Sequence, residues 1–207
     1  MKMEVNWNLV LLLGASFLMT HKSAGQNAWE IDKKESGIVV YTKAKKGSVF
    51  KAFKAVTSLK ASADEIMEVL KNADDYARWY GYTKTSKLLR HEKDIQYNYV
   101  ETIFPWPYRN RDMVYKMSIK ALDSGVVKIS LNGLPDYIPA KKGVVRMKKA
   151  EGYILLQSLG THTDVIYVFH SEPGDNVPGW LANNSIAELP FKTLLGLKRV
   201  LKENKIP

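Results

Sequence analysis

The chain contains no cysteine. That excludes disulfides, a thiol nucleophile, thiolate metal sites and a lipid-anchored cysteine. Histidine is scarce, with four in all, at positions 21, 91, 162 and 170, and their spacing matches no metal-ligand pattern. No G-x-S-x-G elbow, phosphate loop or dinucleotide fingerprint is present. Hydrolytic and redox chemistry therefore have no visible apparatus, and neither a metal nor any other cofactor is expected. Repeats, low-complexity tracts and linkers are also missing. Long hydrophobic runs are lacking too. The run Leu9–Met19 is far shorter than the about 20 residues that span a bilayer. Lys2 precedes it and the small residues Ser23, Ala24 and Gly25 follow, which is the layout of a signal peptide over residues 1–25. The remaining residues, 26–207, are long enough for one domain with a sizeable core. Export to the periplasm or beyond is the expected setting.

What the chain does have is positive charge, with 31 Lys and Arg against 21 Asp and Glu, a formal net charge of +10. The lysines come in pairs at 33–34, 45–46, 141–142 and 148–149 rather than in one block. A solvated basic surface is the plain account. Transient contact with an anionic membrane surface is the sharper one. No nucleic-acid recognition motif accompanies the charge, so nucleic acid is not an expected partner.

Strand patterns dominate. Met113, Tyr115, Met117, Ile119 and Ala121 alternate with Val114, Lys116, Ser118 and Lys120, and Val127, Ile129 and Leu131 alternate with polar neighbours. Period-2 alternation means one buried and one wet face. Ser124–Gly125 between the two runs predicts a hairpin. Further strands are expected over 38–42, 48–59, 84–90, 95–104, 144–157 and 163–170, about eight in mostly antiparallel order. A helix is expected from the Ser62 cap through Ile66, Val69, Leu70, Ala73, Tyr76 and Tyr80. A long closing helix is expected over 178–202, kinked at Pro190. This is an α+β arrangement, a curved antiparallel sheet around a C-terminal helix.

One strand carries a conspicuous acid. Ile95, Tyr97, Tyr99, Glu101 and Ile103 share a face by parity, and a carboxylate on such a face needs a partner or a shifted pKa. Either Glu101 is half solvated at the strand end, or it is a polar handle in an apolar pocket, paired with Arg111.

Several segments, in order, are similar to the START (steroidogenic acute regulatory-related lipid-transfer) family. They are Trp29–Glu30 leading to Gly37–Tyr41, Trp79, Phe104–Pro107 leading into Asn110–Asp112, Pro139–Arg146, and Pro178–Asn183. The resemblance runs from about Trp29 to Leu201. It implies a helix-grip fold whose sheet and C-terminal helix enclose a hydrophobic cavity, and a monomer that binds one lipid or other hydrophobic molecule without catalysis. It also implies that Trp29–Glu30 belongs to an opening helix, and that residues 133–143 and the closing helix form a gate. The ligand-contacting residues it points to are Tyr76, Tyr80, Tyr97, Tyr99, Glu101, Arg111, Met113, Tyr115, Met117 and Asn183. The family's phosphate-clamping pair falls on Tyr76 and Tyr80, and its sterol-site acid–base pair on Tyr97 and Met117, so the expected pocket is neutral, aromatic and rich in methionine. Met113, Tyr115 and Met117 also suit an ordinary core. The alternative function is an enzyme of polyketide cyclase or dehydratase type, with Glu101 as acid or base. A purely structural module is a third reading.

The signal-peptide reading predicts that the mature protein begins at Gln26. N-terminal sequencing of exported protein checks this, and a start at Met1 or Lys2 would contradict it.

Overall fold

Alternating hydrophobicity is realised as one large sheet. The structure is a computed structural model that describes residues 28–174 and 177–205. The proposed signal segment lies outside the described residues. In chain order the elements are β1 (Glu30–Glu35), β2 (Ile38–Lys43), β3 (Ala52–Leu59), α1 (Ala63–Lys71), α2 (Tyr76–Trp79), β4 (Thr83–Glu92), β5 (Ile95–Thr102), β6 (Arg111–Ala121), β7 (Val126–Gly133), β8 (Val145–Arg146), β9 (Lys149–Leu159), β10 (His162–Glu172), α3 (Gly179–Asn184) and α4 (Glu188–Glu203). The sheet order is β1-β2-β3-β10-β9-β7-β6-β5-β4, antiparallel throughout, and the short β8 pairs with β6 in parallel.

Among the described residues the strands number ten rather than about eight. Glu30–Glu35 is a strand, not part of an opening helix. Ser36 and Gly37 both take positive φ, 52° and 69°, and form the two-residue loop that turns β1 back along β2. The segment 48–51 belongs to a turn before β3, and 144–157 divides into β8 and β9.

α4 covers the inner face of the sheet. Pro190, Phe191, Leu194, Leu197 and Leu201 recur at three- and four-residue spacing on its buried side. They meet Ile38 and Val40 of β2, Phe53 and Ala55 of β3 and the buried side of α1 in one continuous core. This is the helix-grip arrangement. Two glycines allow the helix to seat closely: a Cβ on Gly196 would lie 2.0 Å from the Trp79 carbonyl oxygen, and one on Gly81 would lie 2.6 Å from that of Leu189. The closing helix is not continuous. It breaks at 185–187 into α3 and α4, and Pro190 sits in the first turn of α4. There its missing N–H leaves no intrahelical bond unmade, so the expected mid-helix kink is absent. The predicted helix through Tyr80 is likewise divided. α1 ends at Lys71, a 3-10 turn follows over Ala73–Asp75, and α2 carries Tyr76 and Trp79.

The outer face is not uniformly wet. β5 and β6 place Glu101 directly opposite Asp112 on that face. Two adjacent buried carboxylates need cations. Asp112 receives Arg146 in a two-point fork, at 2.8 Å from Nε and 3.1 Å from Nη2. Glu101 accepts from Lys141 Nζ at 2.7 Å, Asn110 Nδ2 at 2.8 Å and Lys84 Nζ at 3.1 Å. Arg146 also donates to the carbonyls of Pro135, Ile138 and Pro139, and Tyr137 stacks on Tyr97 with ring centroids 4.8 Å apart. The loop expected to form part of the gate is thus fastened over the outside of β5.

Burial alone would raise the Glu101 carboxyl, but the bonds from Lys141, Asn110 and Lys84 outweigh it and hold the group at about 2. A depressed folded-state pKa contributes stability that is present above the ordinary carboxylate range and lost as pH falls toward the folded value. Glu101→Gln is expected to destabilise the protein by about 2 kcal/mol at neutral pH. Its gap from the parent should close as pH falls from about 4.5 to about 2. Chemical denaturation across that range checks this, and a gap independent of pH would contradict it.

Candidate functional site

The inner face of β5 and β6 follows from their register. Gln96 opposes Met117, Asn98 opposes Tyr115 and Val100 opposes Met113. All six side chains are buried. Met113, Tyr115 and Met117 therefore face the interior as expected. Tyr97, Tyr99 and Glu101 do not, because they lie on the outer face beneath the loop described above. The apolar character of that face comes from its cover. Tyr97 stacks on Tyr137, and Tyr99 donates to Glu101 Oε2 at 3.5 Å.

The expected Glu101–Arg111 pair gives way to Glu101 with its two lysines, because Arg111 starts the opposite face. Arg111 is 1 % exposed. It stacks on Phe104 at 4.5 Å and donates to the Pro173 carbonyl at 3.1 Å and to that of Arg109. The aromatic, proline-rich loop before β6 is thus a bracket for a buried guanidinium. Asp112, on the other face, takes Arg146. An acid–base role for Glu101 inside a pocket is excluded by this placement. Asn183 also stands apart from the interior. Its amide accepts from Lys51 N–H and donates to the Val49 carbonyl, each at 2.9 Å, which ties α3 to the chain before β3.

Tyr76 and Tyr80 do point inward. The ring of Tyr76 packs on Trp79 at 5.2 Å and stacks on Tyr80 at 5.6 Å. The hydroxyls of Tyr80 and Tyr167 share a hydrogen bond, and Tyr76 donates to the Leu70 carbonyl. Asn98 Nδ2 reaches the Tyr115 hydroxyl at 3.5 Å. Burial pushes the hydroxyls of Tyr76, Tyr80, Tyr115 and Tyr167 above the ordinary tyrosine value, so all four stay neutral at physiological pH. The buried Glu101, Asp112 and His170 lie on the other face of the sheet, and Arg111 is held by the loop before β6.

Trp79 Nε1 and Asn98 Oδ1, whose side chains touch these tyrosines, have no partner among the described residues, and neither do Gln96 Oε1 and Ser86 Oγ on the adjoining strands. Buried polar atoms are nearly always bonded, and each one left open is costly. Gln96, Asn98, Trp79, Ser86 and Tyr167 were not among the residues expected at the site. The signal for Gln96 and Asn98 was the phase of β5, in which the amides alternate with the tyrosines. Among the described residues no cluster of His, Asp and Glu is placed to hold a metal ion, and no helix is long and apolar enough to cross a membrane.

The START domain matches residues 16–205. An uncharacterized protein of Pseudomonas aeruginosa is 34% identical over 171 residues, which cover 82% of this chain and 85% of that one. The phosphatidylcholine transfer protein of Mus musculus is 28% identical over 163 residues, or 75% of each chain. A solved STAR-related lipid transfer protein from Xanthomonas axonopodis has a TM-score of 0.81 at 35% identity, over 85% of this chain and 99% of that one. These matches take in the gripping sheet, the closing helix and the tyrosine-lined interior together, and the chain belongs to the START domain family.

Proposed function

We propose that the protein is a non-enzymatic carrier of one lipid, held between the sheet and α4, and that the lipid's polar end is small and uncharged. The observation that carries this reading is the set of open polar atoms on Gln96, Asn98, Ser86 and Trp79, together with four buried neutral tyrosines. Two amide oxygens accept, an indole N–H donates, and a serine hydroxyl does either. A hydroxyl or carbonyl group satisfies such a set. A phosphate would need a cation, and the aligned clamp positions are occupied by Tyr76 and Tyr80. The rest of the lining, with Met113, Met117, Leu131, Phe169 and Leu194, suits an irregular apolar body.

The transfer step would take place at an anionic membrane in the cell envelope after export. Trp180 of α3 is 67% exposed, and Val49, which touches α3 at Gly179, is 71% exposed. Lys45, Lys46 and Lys51 flank Val49 in sequence. An exposed aromatic–aliphatic pair among lysines suits the interface of a bilayer that carries negative headgroups.

Native mass spectrometry of protein purified from its own host should show an adduct with the mass of a neutral lipid. Asn98→Leu removes an open acceptor, so it should raise the melting temperature of ligand-free protein while lowering transfer between vesicles about tenfold. An adduct carrying a charged headgroup, or transfer unchanged in this variant, would sink the reading.

A further inference from the structure

On the face of the sheet away from α4, the turn after β2 and the start of β9 meet around His170. They bound a hollow of about 390 Å³, and a second of about 470 Å³ adjoins it through Lys45, Asn132, Glu151 and His170. The turn is shaped to present its lysines. Ser48 N–H donates to the Lys45 carbonyl at 3.1 Å, and Gly47 takes a φ of 77° at the position where only glycine does so without strain. Lys45 and Lys46 therefore stand on one wall, with Lys148 and Lys149 on the other.

Two carboxylates share these walls, and each already has a lysine. Lys45 Nζ lies 2.7 Å from Glu151, and Lys149 Nζ lies 3.2 Å from Glu172. Lys46 and Lys148 have no carboxylate partner among the described residues. His170 sits between the walls, opposite Glu151 in the β9–β10 register and only 7% exposed. Its Nε2 is buried without a hydrogen-bond partner among the described residues. An open ring nitrogen beside uncompensated positive charge calls for an acceptor that carries negative charge.

We infer that this hollow is an anion site for a phosphate- or sulfate-like group, held by Lys46 and Lys148 and by an N–H donated from His170 Nε2. The same oxyanion chemistry is offered by a small soluble phosphate and by the headgroup of an anionic lipid. Burial, and then Lys45, lower the His170 pKa in the free protein, against Glu172, a hydrogen bond with the Phe50 backbone and Glu151. The ring is therefore neutral at neutral pH, and an anion at Nε2 favours its protonated form, so binding takes up a proton. The charges around the ring are Lys45 and Lys46 from the turn, Lys148, Lys149 and Glu151 from β9 and its approach, Glu172 from β10, and, across the adjoining hollow, Lys43 of β2 and Lys128 of β7. Only histidine, among these residue types, titrates between about pH 6 and 8.

Sulfate does not titrate in that window and is the probe of choice. Titration at low, constant ionic strength, followed by amide NMR shifts, should give saturable changes confined to 45–48, 148–151 and His170. Affinity should rise as pH falls from about 8 to 6. His170→Gln should abolish that pH dependence. Lys148→Gln, a change at an exposed position, should weaken sulfate about tenfold without affecting the fold. Parallel cosedimentation with phosphatidylglycerol vesicles separates the sources. A variant that loses both sulfate and vesicles assigns a headgroup, and one that loses sulfate alone assigns a soluble anion. No saturable shift, or equal sulfate affinity in Lys148→Gln, would overturn the site.

Discussion

The register of β5 on β6 sets most of what is specific to this molecule. It puts Glu101 and Asp112 side by side on the outer face, where two carboxylates could not remain charged alone. Arg146, Lys141, Lys84 and Asn110 answer them, and three of these lie in connections rather than in the long strands. The connection between β7 and β9 is thereby drawn across the outside of the sheet. With that face covered, the opposite residues of the same strands, Gln96, Asn98, Tyr115 and Met117, are committed to the interior. A slip of one residue would exchange the two sets and bring the carboxylates inward.

Alternation made β6 and β7 legible, because beyond Val114 their outer residues are lysines, serines and an asparagine that belong in water. β5 was ambiguous for a physical reason. Both of its faces are covered, and tyrosine suits a partly buried outer face as well as a core. The decisive information, that Tyr97 stacks on Tyr137, is a contact across 40 positions of chain that no local period contains. The C-terminal region shows the same limit. Leucine spacing gave the buried stripe of α4, but the break at 185–187 depends on how Asn183 is used, and that is a tertiary matter. Of the expected contact residues, Tyr76, Tyr80, Met113, Tyr115 and Met117 face the interior, because helix and strand phases there were unambiguous.

The two faces of the sheet divide the chemistry. Outside, charge is dense and mostly matched, with cations over Tyr41, Tyr153 and Trp29 as well as beside acids. Inside, beyond the guanidinium of Arg111 bracketed at the start of β6, the polar groups among the described residues are hydroxyls, amides and an indole, which carry no charge at neutral pH. A neutral interior can accept and release a polar group without the large desolvation penalty that a buried ion would impose on each passage.

The two glycine seats of α4 bear on how the interior communicates with solvent. At Gly196 and Gly81 helix and backbone are in direct apposition, so α4 cannot slide or rotate without steric collision. α3 differs: it buries none of its own residues and is moored by the two hydrogen bonds of Asn183. The short helix is therefore the least packed part of the closing segment, and the long one the most tightly seated.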